Sequence, residues 1–131
     1  MEEALVAKLL AVTTITTLVG QRITWGRRAQ GGTLPAIVLH RIDGNRDYHL
    51  GGPSGLVASR VQVDCWANTF GDAKRAARAV ALAVSGIRFI QGAVRFDAIL
   101  IIDERDSSDD LNGTPLFRTS LDLAVHHASA S

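Results

Sequence analysis

The sequence predicts an α+β fold, an antiparallel or mixed β-sheet with two helices packed on one face. Three observations carry that expectation. Arg60–Ala67 alternates strictly, with Val61, Val63 and Cys65 on one side and Arg60, Gln62 and Asp64 on the other, the period of a half-buried strand. Leu116–His126 repeats the pattern, setting Phe117, Thr119, Leu121, Leu123 and Val125 against Arg118, Ser120, Asp122 and Ala124. Between them a stretch from Asn68 or Thr69 to Ser85 carries Ala73, Ala76, Ala77, Val80, Ala81 and Val84 at helical spacing.

Taken in order, Glu2–Val19 reads as one helix. Leu5, Leu9, Val12 and Thr16 or Val19 form its apolar stripe, widened by Val6 and Leu10. Glu2 and Glu3 suit the positive end of the helix dipole, and Gly20 suits the stop. Thr13, Thr14, Thr16 and Thr17 weaken its last turn, where fraying is expected. Arg22–Trp25 is a short strand, followed by a loop over Gly26–Pro35 that carries Arg27 and Arg28. Ala36–Asp43 is a firmer strand whose core face the alternation leaves open.

Asp43–Ala58 reads as a long loop, since Gly51-Gly52-Pro53-Ser54-Gly55 cannot be helical. The second helix has Asn68 or Thr69 as its cap and Gly86 as its stop. Its small alanines let it lie close to a sheet. Ile87–Ile90 and Ala93–Asp103 are strand segments broken at Gln91-Gly92, and Asp103–Pro115 is a polar loop. Residues 1–127 form one domain, and Ala128–Ser131 a disordered tail.

Bulk properties narrow the function. At 131 residues the chain can bury one core without staples. A net charge of +1 gives no strong pull toward nucleic acid or an acidic membrane. One cysteine excludes an internal disulfide and a cysteine-based zinc cluster, and fits a reducing compartment. The acidic start lacks a signal-peptide pattern, and Ala4–Val19 is too short and polar to span a bilayer. The protein is expected to be made in a cytoplasm.

The chemistry searched for does not assemble. No Gly-Lys-Ser/Thr follows the glycine-rich stretch, so it is no phosphate loop. Ser108–Asn112 has calcium-loop spacing only in outline, with Thr119 where a bidentate glutamate belongs. His126 and His127 alternate across a strand and point to opposite faces. Cys65 falls in the apolar set, with His40 as a remote partner for a nucleophile, and Asp103, Glu104 and Asp106 sit with Arg105. No catalytic residue, cofactor or metal is assigned.

The ordered set Arg46-Asp47-Tyr48, Gly52-Pro53-Ser54-Gly55-Leu56 and Arg60-Val61-Gln62-Val63-Asp64-Cys65-Trp66-Ala67 resembles the tail completion, or tail terminator, proteins of tailed phages. Leu34-Pro35-Ala36-Ile37-Val38, the alanine-rich helix, Asp103-Glu104-Arg105-Asp106 and Phe117-Arg118-Thr119-Ser120-Leu121-Asp122 extend the resemblance over most of the chain. The doubled Gly51-Gly52 and the acidic Ser108–Asn112 stretch depart from it.

The resemblance implies a homo-oligomeric ring, six-fold, in a virion, prophage-derived particle or gene transfer agent. Such a ring caps the head-proximal end of the tail tube, stops its polymerisation and joins it to the head connector. Its partners are the tail tube protein and a head-completion or stopper protein, and DNA passes through without specific binding. A neck stopper or head–tail joining protein is the alternative, and a small intracellular enzyme or regulatory binding domain a more distant one.

The residues suit a ring subunit, which needs two complementary surfaces and no active site. Arg46, Asp47, Tyr48, Leu50, Leu56 and Val57 are the candidates for the subunit or tube interface. Arg60, Gln62 and Asp64, with Arg118 and Asp122, are the candidates for a channel or seam face.

Overall fold

A computed structural model describes residues 1–26, 33–49, 52–111 and 113–129, with side chains outside 43–56, 109–111 and residue 129. The expected loop around Arg27 and Arg28, and Leu50-Gly51 of the expected long loop, lie outside the described residues. Three helices, α1 (Glu2–Leu10), α2 (Thr13–Val19) and α3 (Phe70–Val84), pack on a six-stranded mixed sheet. Its strands are β1 (Ile23–Trp25), β2 (Ala36–His49), β3 (Gly52–Ala67), β4 (Phe89–Gln91), β5 (Val94–Leu111) and β6 (Thr114–Ser129). Their spatial order is β1-β2-β3-β6-β5-β4. Among the described residues only the β1–β2 pair is parallel.

The first expected helix is two helices. Val12 leaves the helical region at φ −92° and ψ 113°. A continuous helix would carry Val12 and Thr16 into the core. The break instead buries Leu5 and Leu9 from α1 with Ile15 and Val19 from α2, sparing threonine hydroxyls from desolvation. The Thr16 and Thr17 hydroxyls donate to the Thr13 carbonyl at 3.3 and 2.8 Å. The last turn thus re-forms as a helix of its own.

The cap expected for α3 is Thr69, whose hydroxyl accepts from the Asp72 amide at 3.1 Å. Ala73, Ala76, Ala77, Val80 and Val84 are buried against the sheet, where Ile37, Leu39, Val61, Val63, Cys65, Ile99, Leu121, Leu123 and Val125 complete the core. Fully burying each of the larger aliphatic side chains contributes about 1.5–3 kcal/mol. The core face left open for β2 is the one carrying Ile37 and Leu39.

Register shifts between Arg41 and Asp43, Phe96 and Ala98, and Ile101 and Asp103 mark bulges, which bend strands and increase twist. The sheet curls until α1 touches both edge strands. Lys8 lies 4.8 Å from the centre of the Phe89 ring, and Phe89 stacks on Phe96 at 4.6 Å. One helix therefore closes the gap between β1 and β4.

Two expected loops are strands. Asp43–His49 and Gly52–Ala58 form the arms of the β2–β3 hairpin, paired out to His49 and Gly52. Asp103–Leu111 and Thr114–Pro115 form the outer end of the β5–β6 hairpin, paired out to Leu111 and Thr114, with Gly113 at φ +82° where the chain reverses. That conformation favours glycine. β6 keeps its pairing as far as Ser129, two residues into the stretch expected to be a tail.

Candidate functional site

The β3–β6 pairing stops at Val57 on one side and Ala67 on the other. Beyond Val57 the β2–β3 ribbon continues over residues 52–56, roughly 16 Å at about 3.3 Å per residue. Beyond Ala67 the β5–β6 ribbon continues from Leu116 to Thr114, roughly 10 Å on the same scale. β3 and β6 are antiparallel, so the two ribbons leave opposite ends of one sheet. Each has lost its third strand, and a two-stranded ribbon is marginal in water alone.

The interface candidates Arg46, Asp47, Tyr48 and Leu56 lie on the arms of the first ribbon, and Val57 sits half-buried at its base. Leu50 falls outside the described residues. These residues belong to strands, in place of the expected loop. The second ribbon carries Asp109 and Asp110, the end of the acidic sequence Asp106-Ser107-Ser108-Asp109-Asp110.

Between the ribbons lies the sheet face that carries no helix. Register puts Arg60 opposite Ala124, Gln62 opposite Asp122, Asp64 opposite Ser120, and Trp66 opposite Arg118. Asp64 is buried. Its Oδ1 accepts from Gln62 at 2.8 Å and from the Ser120 hydroxyl at 2.7 Å. His40 Nε2 lies 3.3 Å from its Oδ2, and an Arg118 nitrogen 3.9 Å. Burial of a carboxylate is tolerated here because donors surround it. Arg118 also stacks over Trp66 at 5.1 Å and donates to Ser107 at 3.1 Å.

Asp122 joins a second cluster. Arg105 donates to it at 2.6 and 3.2 Å and to Asp103 at 3.0 Å. Donating to both carboxylates, Asp122 foremost, pushes the Arg105 guanidinium still further above its ordinary value. Arg60 is exposed and makes no ion pair among the described residues. The five sequence candidates thus share a face, divided between two clusters and one solitary arginine. His40, Trp66, Asp103, Arg105 and Ser120 are the partners that sequence reasoning did not include. The alternation of β6 already placed Ser120 beside Arg118 and Asp122; the bulge at Ile102 hid Asp103 and Arg105.

The other residues considered for chemistry separate. Glu104 and Asp106 turn to the helix side, where Lys74 reaches them at 2.7 and 3.0 Å, while Asp103 faces Arg105. Hydrogen bonding to Glu104 raises Lys74, and hydrogen bonding to Lys74 lowers Asp106. Cys65 lies in the core and pairs in register with Ile37, away from His40 opposite Gln62. Burial pushes its thiol up. His127 shares a 2.9 Å hydrogen bond with Ser59 on the helix side. Among the described residues no group of three or more His, Cys, Asp or Glu is placed to hold a metal ion. No described helix is long and apolar enough to cross a membrane. A groove of about 500 Å³ runs between α1 and Trp25, lined by Val6, Ala7 and Leu10 with Glu2 and Glu3 at its rim.

A curled α+β domain with paired charges on its open face and ribbons at both ends has the make-up of a structural assembly subunit. The chain belongs to the tail completion protein gp17 family, which it matches over residues 3–126. It is a structural protein of phage-type tails, a component of a virion or a phage-derived particle. A solved structure of the virion of a native gene transfer agent particle contains a chain of the same fold. The TM-score is 0.70 at 18% identity, covering 98% of this chain and 94% of that one. Comparison with curated proteins gave no match.

Proposed function

We propose that the protein is the ring-forming tail terminator. It caps the head-proximal end of the tail tube, stops its polymerisation and joins it to the head connector. The observation that carries this reading is the departure of two ribbons from opposite ends of one sheet. With the strands running along the ring axis, one ribbon reaches each rim. The β2–β3 ribbon, whose sequence includes Tyr48, Leu50, Leu56 and Val57, gains from burial against the tube or a neighbouring subunit. The acidic β5–β6 ribbon is left for the head-completion or stopper protein.

The ring is a homo-oligomer closed by head-to-tail contacts, six-fold as in the proteins the sequence resembles. Arg60, Gln62, Asp64, Arg118 and Asp122 face the channel, and the margins of their sheet face meet the seam. Tight DNA binding needs many uncompensated cations. Arg118 and Arg105 are engaged by carboxylates within the subunit, which suits a wall that DNA slides past. This role needs no cofactor and no catalytic residue.

Electron microscopy of particles made without this gene tests the assignment. Over-length or ragged tubes detached from heads are expected. Tails of normal length lying beside filled heads would move the protein to head–tail joining, and intact particles that transfer DNA would remove it from both roles.

A further inference from the structure

We infer that copies of this chain close the ring edge to edge, each short outer strand filling the gap beside its neighbour's long one; this rests on the ring-forming role proposed above. The sheet has a stepped outline. On one side β1 covers β2 only from Ile37 to Leu39. Among the described residues no backbone hydrogen bond reaches the outer edge of β2 from Arg41 to His49. On the other side β4 covers β5 only from Val94 to Phe96. Past it, among the described residues, the Gly86 amide donates to the Ile99 carbonyl at 2.9 Å, and the edge from Ile101 to Leu111 stays open. Long unpaired edges are templates for pairing with another chain.

The two steps fit each other. Register through β3 and β6 sets Ile23, Thr24 and Trp25 level with Asp106, Arg105 and Glu104. The same register sets Phe89 of β4 level with Arg46 of β2. β1 therefore stands out at the height where β5 is bare, and β4 stands out where β2 is bare. Rotation about a ring axis along the strands keeps every residue at its height. β1 of one copy then lies beside β5 of the next, while that next copy's β4 lies beside β2 of the first. Both contacts put one strand between β2 and the neighbouring β5, so they form together. An outline that fits itself at two heights identifies a second copy as the occupant.

Direction, pleat and chemistry agree with this seam. β1 runs with β2 and against β5, so copies of one orientation meet antiparallel there. Residues directly opposed in a sheet point to the same face. Ile23 lies in the core with Trp25 packed against it, and Glu104 and Asp106 take Lys74 on that same helix side. α1 touches β1 and β4 at diagonally opposite corners of the twisted sheet, packing through Leu5 and Leu9 on its helix side. Between the two contacts the margins carry Ile42 on β2 and Ile102 on β5, 52% and 49% exposed. Both sit in bulges at neighbouring heights, since Arg41 and Ile101 share one level. Arg41 is paired with Glu2, and Arg105 with Asp103 and Asp122, inside the subunit. Arg60 lies one strand in from the β2 margin and stays with the channel face.

Cysteine crosslinking in assembled particles tests this. Chains carrying Thr24→Cys and Arg105→Cys separately, tagged to differ in size, are co-expressed with the particle genes. They should form a mixed disulfide dimer on oxidation, because directly opposed side chains stand about 5 Å apart. A chain carrying both should give a ladder up to the closed ring. Asp109→Cys in place of Arg105→Cys lies about 13 Å further along β5 and should lower the mixed-dimer yield at least about tenfold. Ile42→Cys and Ile102→Cys form a second pair that leaves the ion pairs intact. Across a gap one strand wide, about 10 Å, they should be joined by a bismaleimide of that length. Self-dimers of any single variant, or neither mixed dimer in particles whose tails end at normal length, would overturn the interface. Tail length in the same particles reads the terminator role, so the two inferences fail separately.

Discussion

The Ser120 hydroxyl donates to Asp64 at 2.7 Å between directly paired strands, and both residues are buried on the sheet face that bears no helix. Gln62 donates to the same oxygen, so one carboxylate oxygen satisfies two side chains. Removing it strands their donors in a water-poor site. Asp64→Ala is expected to destabilise the fold by about 1–3 kcal/mol, the cost of leaving buried polar groups unpaired. Urea unfolding at fixed pH measures it. A midpoint equal to wild type would show that water reaches the cluster freely.

The pH dependence of stability centres on His127. Burial holds its imidazole below the ordinary 6.5, with the N-terminal ammonium pushing the same way and Glu2 opposing. Arg41 and His126 add smaller downward effects. The unfolded chain then takes up its proton before the folded one does. Stability is therefore full above pH 6.5, falls as the pH drops through 6.5, and levels off below the depressed folded value. His127→Gln should remove that part of the slope. Thermal melts of both proteins across pH 5–8 check it, and parallel profiles would place the titration on another group.

Cys65 is wholly buried in the core, and burial pushes its thiol far from the thiolate form that reacts. In the native protein a thiol reagent should label it only at the rate of unfolding, and immediately in denaturant. Cys65→Ser should cost about 1–3 kcal/mol by placing a hydroxyl among apolar side chains. Rapid labelling of native protein would mean that β3 opens independently of the core.

The parts of this fold that were legible in the sequence are those in which one face is buried and the signal is local. Thr69 capping α3, and the alternation of Val61, Val63 and Cys65 against Leu121 and Leu123, needed no tertiary information. The break at Val12 did, because only the position of the sheet makes Ile15 a better core residue than Thr16. Gly51–Gly55 and Ser107–Asp110 carry turn and loop chemistry, yet both stretches reach into strands. Each arm takes its conformation from the strand it pairs with, and glycine and proline are tolerated in a ribbon with an unpaired edge. The candidate face was legible by period alone. Its ion pairs were not, since Arg105 and Asp103 reach Asp122 only through the shift that follows Ile101.

The β2–β3 ribbon gives the most direct prediction about assembly. Past Val57 it has no third strand and extends beyond the three-stranded part of the sheet. Replacing Tyr48 and Leu50 together with serine should therefore change the unfolding free energy by no more than about 0.5 kcal/mol, as for surface positions. The same change removes an aromatic and an aliphatic side chain from the ribbon that the proposed role places against the tube or a neighbouring subunit. Supplied in place of the wild-type gene, the double variant should leave tails over-length while the purified protein melts normally. Electron microscopy gives the tail length and circular dichroism the melt. Tails of wild-type length would show that the ribbon takes no part in termination.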